Sequence, residues 1–477
     1  MATRLAPYQL DPLITATEWL PEPPLAFASG NHHPDPKVGI ALYGPRSFGT
    51  SRHKHEVHIG FIGTGEAVAD AHDFYQRCAD GVAGDDQHTS FPGCHADRGY
   101  RCELRADPQV TELLTRQEAV QLLQIRRARE RFETLLTMLE SKLALLCGRD
   151  HPLDYVVVAL PHDLYTACRV VDYVDRQHGR VHRDLRRAFK ALAMQYHKPT
   201  QIFLQTTAGR TPTRRQLDHP SVIAWNLFNG LYFKADGLPW GPVGLPPASC
   251  YIGVSFYRPL AEPASTLRTS VVQAFDENGE GLVLRGHNFH WDEDRAGRSP
   301  HLPADQATHV VDMVLDRYHQ ERKQLPQRVV LHKTSRFEPD ERAGFEHALA
   351  RVGRYDLVAL RDTSDVRLIR AGQYPPLRGT MFQAGDVSYL YTSGYLAHLG
   401  RYPHGHVPSP LQVADHVGDT ARADLLRELM VLTKINWNSA NPSGLLPITL
   451  RFARLVGDIL REVPPGQTPQ PKYRYYM

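Results

Sequence analysis

The chain has 477 residues, with 55 Lys and Arg against 52 Asp and Glu, which gives a formal net charge of +3. Hydrophobic residues at 42% and charged residues at 22% match an ordinary folded protein and exclude a collagen repeat, a coiled coil and wholesale disorder. A balance this even excludes bulk attraction to polyanions, so any nucleic-acid contact has to come from local charge, and the length alone corresponds to about three domains at roughly 150 residues each. Six cysteines, at 78, 94, 102, 147, 168 and 250, form no CxxC pair and read as reduced, intracellular thiols. Cys94-His95 with Cys102 and His88 is a candidate zinc cluster whose spacing fits no ligand template. Neither a secretory leader nor a roughly 20-residue apolar span is present, so the expected location is cytoplasmic, with no membrane contact.

Residues 1–55, rich in Pro, Gly and His, read as an extended linker segment. Val57 to Ile62 is a strand that ends in Gly63-Thr64-Gly65, followed by a helix from Ala67 to Cys78; GxG alone is a weak nucleotide signal. Thr115-Arg116-Gln117-Glu118 is a capping box ahead of one long helical pattern that runs through Leu122, Leu136 and Leu143. Tyr155 to Leu160 is the continuous apolar run of a strand buried on both faces. A helix over 182–195, a strand over 201–205 and a helix over 220–233 complete a doubly wound α/β domain. The Pro/Gly-rich joint at 237–247 marks a boundary, giving domains at 56–245 and 246–477. Strands at 251–257, 269–275 and 281–285, with a turn at 277–280, then lead to a helix over 305–323, the strand 328–331 and a helix over 339–351. This meander followed by helix, strand and helix is the element order of an RNase H-like domain.

Arg186 and Lys190 lie four apart and share one helix face. Gln201 opens the next strand and Lys234 closes the following helix. Basic groups at the ends of successive elements suit a phosphate, each contact from a charged donor being worth about 1.5–3 kcal/mol. Their expected meeting place is the carboxyl edge of the sheet, where open α/β sheets bind ligands. The alternative at Lys234 is a lysine that answers its own helix dipole.

From about residue 20 onward the sequence resembles a short prokaryotic Argonaute, a MID domain followed by a PIWI domain. The resemblance rests on His33-Pro34-Asp35-Pro36-Lys37 through Pro45, on Pro199-Thr200-Gln201-Ile202, on Leu432 to Asn438 and on Leu446 to Ala453. It implies a Rossmann-like MID domain whose guide 5′-phosphate pocket contains Arg186, Lys190, Gln201 and Lys234, with Gly230 where some members carry another Lys. It also places the Met477 carboxylate in that pocket, bridged through Mg²⁺, against the alternative of a frayed tail. Arg451, Arg454, Lys434 and Arg336 are candidate contacts to the guide or target backbone.

The same resemblance points to lost catalysis. A two-metal nuclease needs clustered carboxylates, yet Gly253-Val254-Ser255 puts Ser255 at the first Asp position, Lys333-Thr334-Ser335 puts Thr334 at a later one, and Arg454 stands nearest the last. A hydroxyl does not replace a carboxylate against Mg²⁺. Glu293 is a candidate remnant of a further acid. Asp276, Glu277, Asp292 and Asp294 otherwise read as loop acids, and His287, His290 and His332 as groove, ligand or ordinary histidines. The expectation is a catalytically inactive, guide-binding sensor that recognises complementary single-stranded DNA with a short guide RNA or DNA. It would activate a separate APAZ-domain effector, a sirtuin-like or TIR NADase or a nuclease, in prokaryotic immunity, with a higher oligomer forming on activation. The enzyme alternative is a guide-directed PIWI endonuclease with a rearranged active site; a remoter one is a metabolic nucleotide enzyme using Gly63-Thr64-Gly65.

Overall fold

The computed structural model describes residues 14–477 except 177–178, 210–215, 261, 264, 275–280, 293–296, 298, 364, 401, 403–406, 442–443, 445 and 465. The N-terminal segment, expected to be extended, contains β1 (Ile14–Trp19), β2 (Leu25–Ala26), β3 (His32–His33) and a helix, α1 (Pro36–Tyr43). Asp35 caps α1 by accepting the Lys37 and Val38 backbone N–H groups, and Pro36 fills the first turn. Asp-Pro is therefore a helix start here rather than a linker turn.

The first domain follows with β4 (Glu56–Thr64), α2 (Gly65–Asp80), β5 (Glu103–Leu114), α3 (Arg116–Gln124), α4 (Ala128–Cys147), β6 (Tyr155–Leu160), α5 (His162–Cys168), β7 (Val170–Asp175), β8 (Gly179–Asp184), α6 (Leu185–Ala193), β9 (Thr200–Leu204) and α7 (Pro220–Lys234). Four strands form a parallel sheet in the order β5-β4-β6-β9, and β7 with β8 makes a separate hairpin. The capping box at Thr115 and Glu118 is formed, but the long helical pattern splits at Ile125, whose extended backbone separates α3 from α4. Gly63 has φ +157, and a Cβ there would lie 1.7 Å from the Ala159 carbonyl oxygen. The glycine thus permits two strands to approach closely, which accounts for Gly63 without a nucleotide.

After the short β10 (Gly241–Pro242), the second domain contains β11 (Ser249–Tyr257), β12 (Thr266–Ala274), β13 (Gly281–His290), α8 (Ala304–Arg322), β14 (Arg328–Lys333), α9 (Pro339–Leu349), β15 (Arg354–Asp362), β16 (Thr380–Ala384), β17 (Val387–Leu390), β18 (Leu411–Gly418), α10 (Arg422–Leu432) and α11 (Ile448–Leu460). Nine strands form one mixed sheet, β1-β16-β17-β18-β15-β14-β11-β12-β13. Cys250, Ile252 and Val254 bury one face of β11 with α8 and α9. Tyr251 and Tyr257 belong to the core that holds α11 on the other face. Alternation along one strand thereby supplies both cores. No helix among the described residues is long and apolar enough to cross a membrane.

The two domains are joined through α6 and α11. Arg187 pairs with Asp458 at 2.7 Å, and Arg183 bonds Glu462 at 2.8 Å as well as Glu133.

Candidate nucleic-acid interface

Lys190 and Lys234 lie in the last turns of α6 and α7, and both are only 3% exposed. Their ammonium groups converge on one atom, the Thr200 carbonyl oxygen at the start of β9, at 2.7 Å from Lys190 and 3.2 Å from Lys234. Lys234 also donates to Gln201 Oε1 at 2.8 Å and stands 5.4 Å from the Tyr155 ring centre. Lys190 donates in addition to the Met477 main-chain oxygen. The basic groups therefore do meet, but at the amino edge of the parallel sheet, not the expected carboxyl edge. The reason is topological: a helix that runs back between parallel strands ends at the edge where the next strand begins. Two helix carboxyl ends face this site, and the lysines also answer those dipoles.

Above the lysines is a cavity of about 430 Å³, lined by Arg186, Arg187, Gln201, Lys234, Tyr476 and Met477 among others. Arg186 is exposed at its mouth. Tyr475, Tyr476 and Met477 are buried, which contradicts the frayed-tail alternative. Asp218 and Asp458 are the acids on the lining, and Leu455, Asp458 and Ile459 of α11 close it from the second domain. Arg187, Asn438 and Asp458 were not singled out by sequence, because their place depends on how the domains dock.

Burial is the main cause that lowers both lysine pKa values. It drives Lys190 well below its ordinary value, helped by the charges of Lys234 and Arg186. It brings Lys234 down to about 7, with Arg186 contributing. Two ammonium groups stripped of water and facing each other form a site poised to take an anion and protons together.

In the second domain, β11 and β14 are parallel, with Gly253 beside His332. The ladder ends at that pair: Ser255 follows two residues further along β11, half-buried, and Thr334 lies just past the end of β14, exposed. A Cβ on Gly253 would lie 2.2 Å from the Thr449 carbonyl oxygen, so the glycine lets the first turn of α11 cross the strand. Thr449 Oγ1 lies 2.8 Å from His332 Nδ1, and burial lowers the His332 pKa to about 3. His332 is thus a neutral core histidine and not a groove residue. Arg454 is exposed on α11, Arg451 is half-buried one turn before it, and Arg336 is exposed beyond β14. Glu293, with Asp276, Glu277 and Asp294, lies outside the described residues.

Two candidates are corrected. Lys434 does not face a nucleic-acid channel: it is buried, pairs with Glu22 at 2.8 Å and donates to the Pro23 and Pro34 carbonyl oxygens at 2.6 Å each. It fastens the N-terminal segment to the sheet domain, and Arg378 helps by pairing with Glu22 at 2.8 Å. The cysteine-histidine cluster does not assemble either. Cys94 and Cys102 are free thiols that hydrogen-bond in the core, where burial raises the Cys94 thiol. His95 instead contacts the Asp80 carbonyl oxygen and Arg98, while His88 stacks on His219 and pairs with Asp85.

No protein-family profile matches the chain. The protein argonaute of Thermus thermophilus is 27% identical over 199 residues, covering 40% of this chain and 27% of the relative. Clostridium butyricum Argonaute, solved bound to a guide DNA and a 19-mer target DNA, superposes with TM-score 0.64 at 14% identity, over 94% of this chain and 53% of that one. Drosophila Piwi superposes with TM-score 0.59 at 12% identity, over 96% and 56%. A. aeolicus Argonaute gives TM-score 0.55 at 14% identity, over 94% and 54%. The chain thus spans about a quarter of the curated relative and about half of the solved structures.

Proposed function

We propose that this Argonaute homologue, built on a MID-PIWI fold, holds the 5′-phosphate of a short guide strand and uses base pairing of that guide to recognise complementary nucleic acid. The observation that carries this reading is that Arg186, Gln201, Lys234 and Met477 line one cavity, with Lys190 bonded to the Met477 and Thr200 main-chain oxygens beside it. A terminal phosphate there would accept from charged donors in a water-poor setting, at about 1.5–3 kcal/mol per contact. Base pairing would read sequence while the protein holds the backbone and the end. Arg186 at the mouth, with Arg451, Arg454 and Arg336, supplies positive charge for that backbone.

The Met477 oxygen and Gln201 Oε1, which Mg²⁺ would need in this pocket, already accept from Lys190 and Lys234. In this reading the ammonium groups neutralise the phosphate themselves. Ser255 on β11 and Thr334 just past β14 give hydroxyls where two-metal cleavage calls for carboxylates, so guide-directed cutting is not expected of this chain. Its output is then carried by a partner, an APAZ-domain effector with NADase or nuclease activity, in defence against invading nucleic acid. The guide is RNA and the target single-stranded DNA in the form of the proposal tested first.

The test is fluorescence anisotropy with 5′-phosphorylated and 5′-hydroxyl oligonucleotides, RNA and DNA, in Mg²⁺ and in EDTA. At least tenfold preference for the phosphorylated end, in both buffers, is expected. Equal binding of the two ends would refute the pocket, and Mg²⁺-dependent cleavage of a complementary strand would refute catalytic silence.

A further inference from the structure

A second cavity, of about 660 Å³, lies on the other side of the chain's final segment. It falls within the 300–1,000 Å³ typical of small-molecule sites. Six cations line it, Arg46, Arg52, Arg317, Arg322, Lys472 and Arg474, against two acids, Asp236 and Glu321. The difference, six minus two, leaves four positive charges in excess within one concavity. The acids are already shared: Glu321 pairs with Arg317 at 2.9 Å, while Asp236 pairs with Arg474 at 2.9 Å and with Arg52 at 3.7 Å. They orient guanidinium groups without cancelling the field.

The walls are preformed. The loop that carries Arg46 is fastened by backbone bonds from Arg46 N to the Pro239 carbonyl and from Ser47 N to the Leu238 carbonyl. Ser47 Oγ lies 2.8 Å from the Tyr232 hydroxyl. Phe233, Tyr318 and Tyr473 form a buried floor that excludes water from below. A low-dielectric floor under clustered cations strengthens their pull on an anion.

From this charge, volume and rigidity we infer a second anion site, distinct from the 5′-phosphate pocket, that takes a phosphorylated small molecule with several phosphate groups. The course of the final segment adds a consequence. Its residues 471–474 line this cavity, whereas Tyr476 and Met477 line the other. A ligand that holds the former steadies the latter, so occupancy of either site favours occupancy of the other by the same factor.

Inorganic triphosphate and ATP, titrated calorimetrically into the full chain at about 50 mM salt, are expected to bind with one-site stoichiometry and to weaken at higher salt. Equal affinities would assign the binding to phosphate alone, and tighter ATP would add a nucleoside contact; both support the site. Arg322→Glu with Lys472→Glu, at two exposed positions, should reduce triphosphate affinity at least tenfold and leave binding of a 5′-phosphorylated oligonucleotide within about twofold. Lys190→Ala with Lys234→Ala should leave triphosphate binding intact. Loss of binding in that second variant, or no binding by wild type at millimolar triphosphate, overturns the inference.

Discussion

Lys234→Met separates the cost of the 5′-phosphate pocket from its use. With its pKa brought down to about 7 by burial, this lysine costs the folded state on the order of 5 kcal/mol at or below neutral pH, taking 1.36 kcal/mol per unit from an ordinary value near 10.4. Methionine has similar length and no charge, so it removes that cost. It also gives up two hydrogen bonds, to Thr200 and Gln201, together about 1–3 kcal/mol. Thr200 keeps its bond from Lys190. The net expectation is a gain in stability of about 2–4 kcal/mol at pH 7, read by urea denaturation. Its pH dependence follows from sign: the folded pKa is depressed, so wild-type stability rises as pH goes from 7 towards 10.5, and the variant lacks that increment. Affinity moves the other way. Losing one charged contact weakens a 5′-phosphorylated oligonucleotide roughly 10- to 150-fold, while a 5′-hydroxyl oligonucleotide is hardly affected. A variant that is less stable, or that loses both oligonucleotides equally, would refute the argument.

Affinity for the 5′-phosphate should fall as pH rises from 7 to 9, because the anion raises lysine pKa values that the empty pocket holds low; a calorimetric titration in two buffers of different ionisation heat would show the proton uptake. Lys434→Ala leaves half-buried Glu22 paired with Arg378 alone and removes the donor to the Pro23 and Pro34 carbonyls, a loss of about 1–3 kcal/mol, and should open the segment before residue 35 to limited proteolysis. Gly253→Ala forces a methyl against the Thr449 carbonyl and should destabilise the second domain by about 1–3 kcal/mol, visible as a lower Tm.

Local chemistry made part of the fold legible. The Thr115 and Glu118 capping box and the Val156 to Val158 run carry their signals within a few residues. Strand β5 did not, because it is the edge of its sheet, carries Pro108 and alternates with charged residues, which reads as loop. Strands β16 and β17 form a hairpin, but β15 pairs with β18 some 50 residues on, and β16 completes its ladder with β1 across more than 350 residues. Helix spacing made Arg186 and Lys190 legible as a pair on one face, while Gln201 and Lys234, on other elements, were joined to them by the family resemblance. The sheet edge they occupy was not legible, since spacing says nothing about which end of a strand a helix terminus meets. Lys434 shows the converse: its burial is set by Glu22, some 400 residues away, and no local pattern distinguishes it from a lysine that faces solvent.

The central claim is that Lys190 and Lys234 anchor a guide. Purifying the wild-type chain and the Lys190→Ala, Lys234→Ala double variant side by side, and sequencing the nucleic acid that accompanies each, tests it most directly. Wild type should carry short 5′-phosphorylated strands and the double variant at least tenfold less of them. A double variant that retains its full load of 5′-phosphorylated strands would contradict the account.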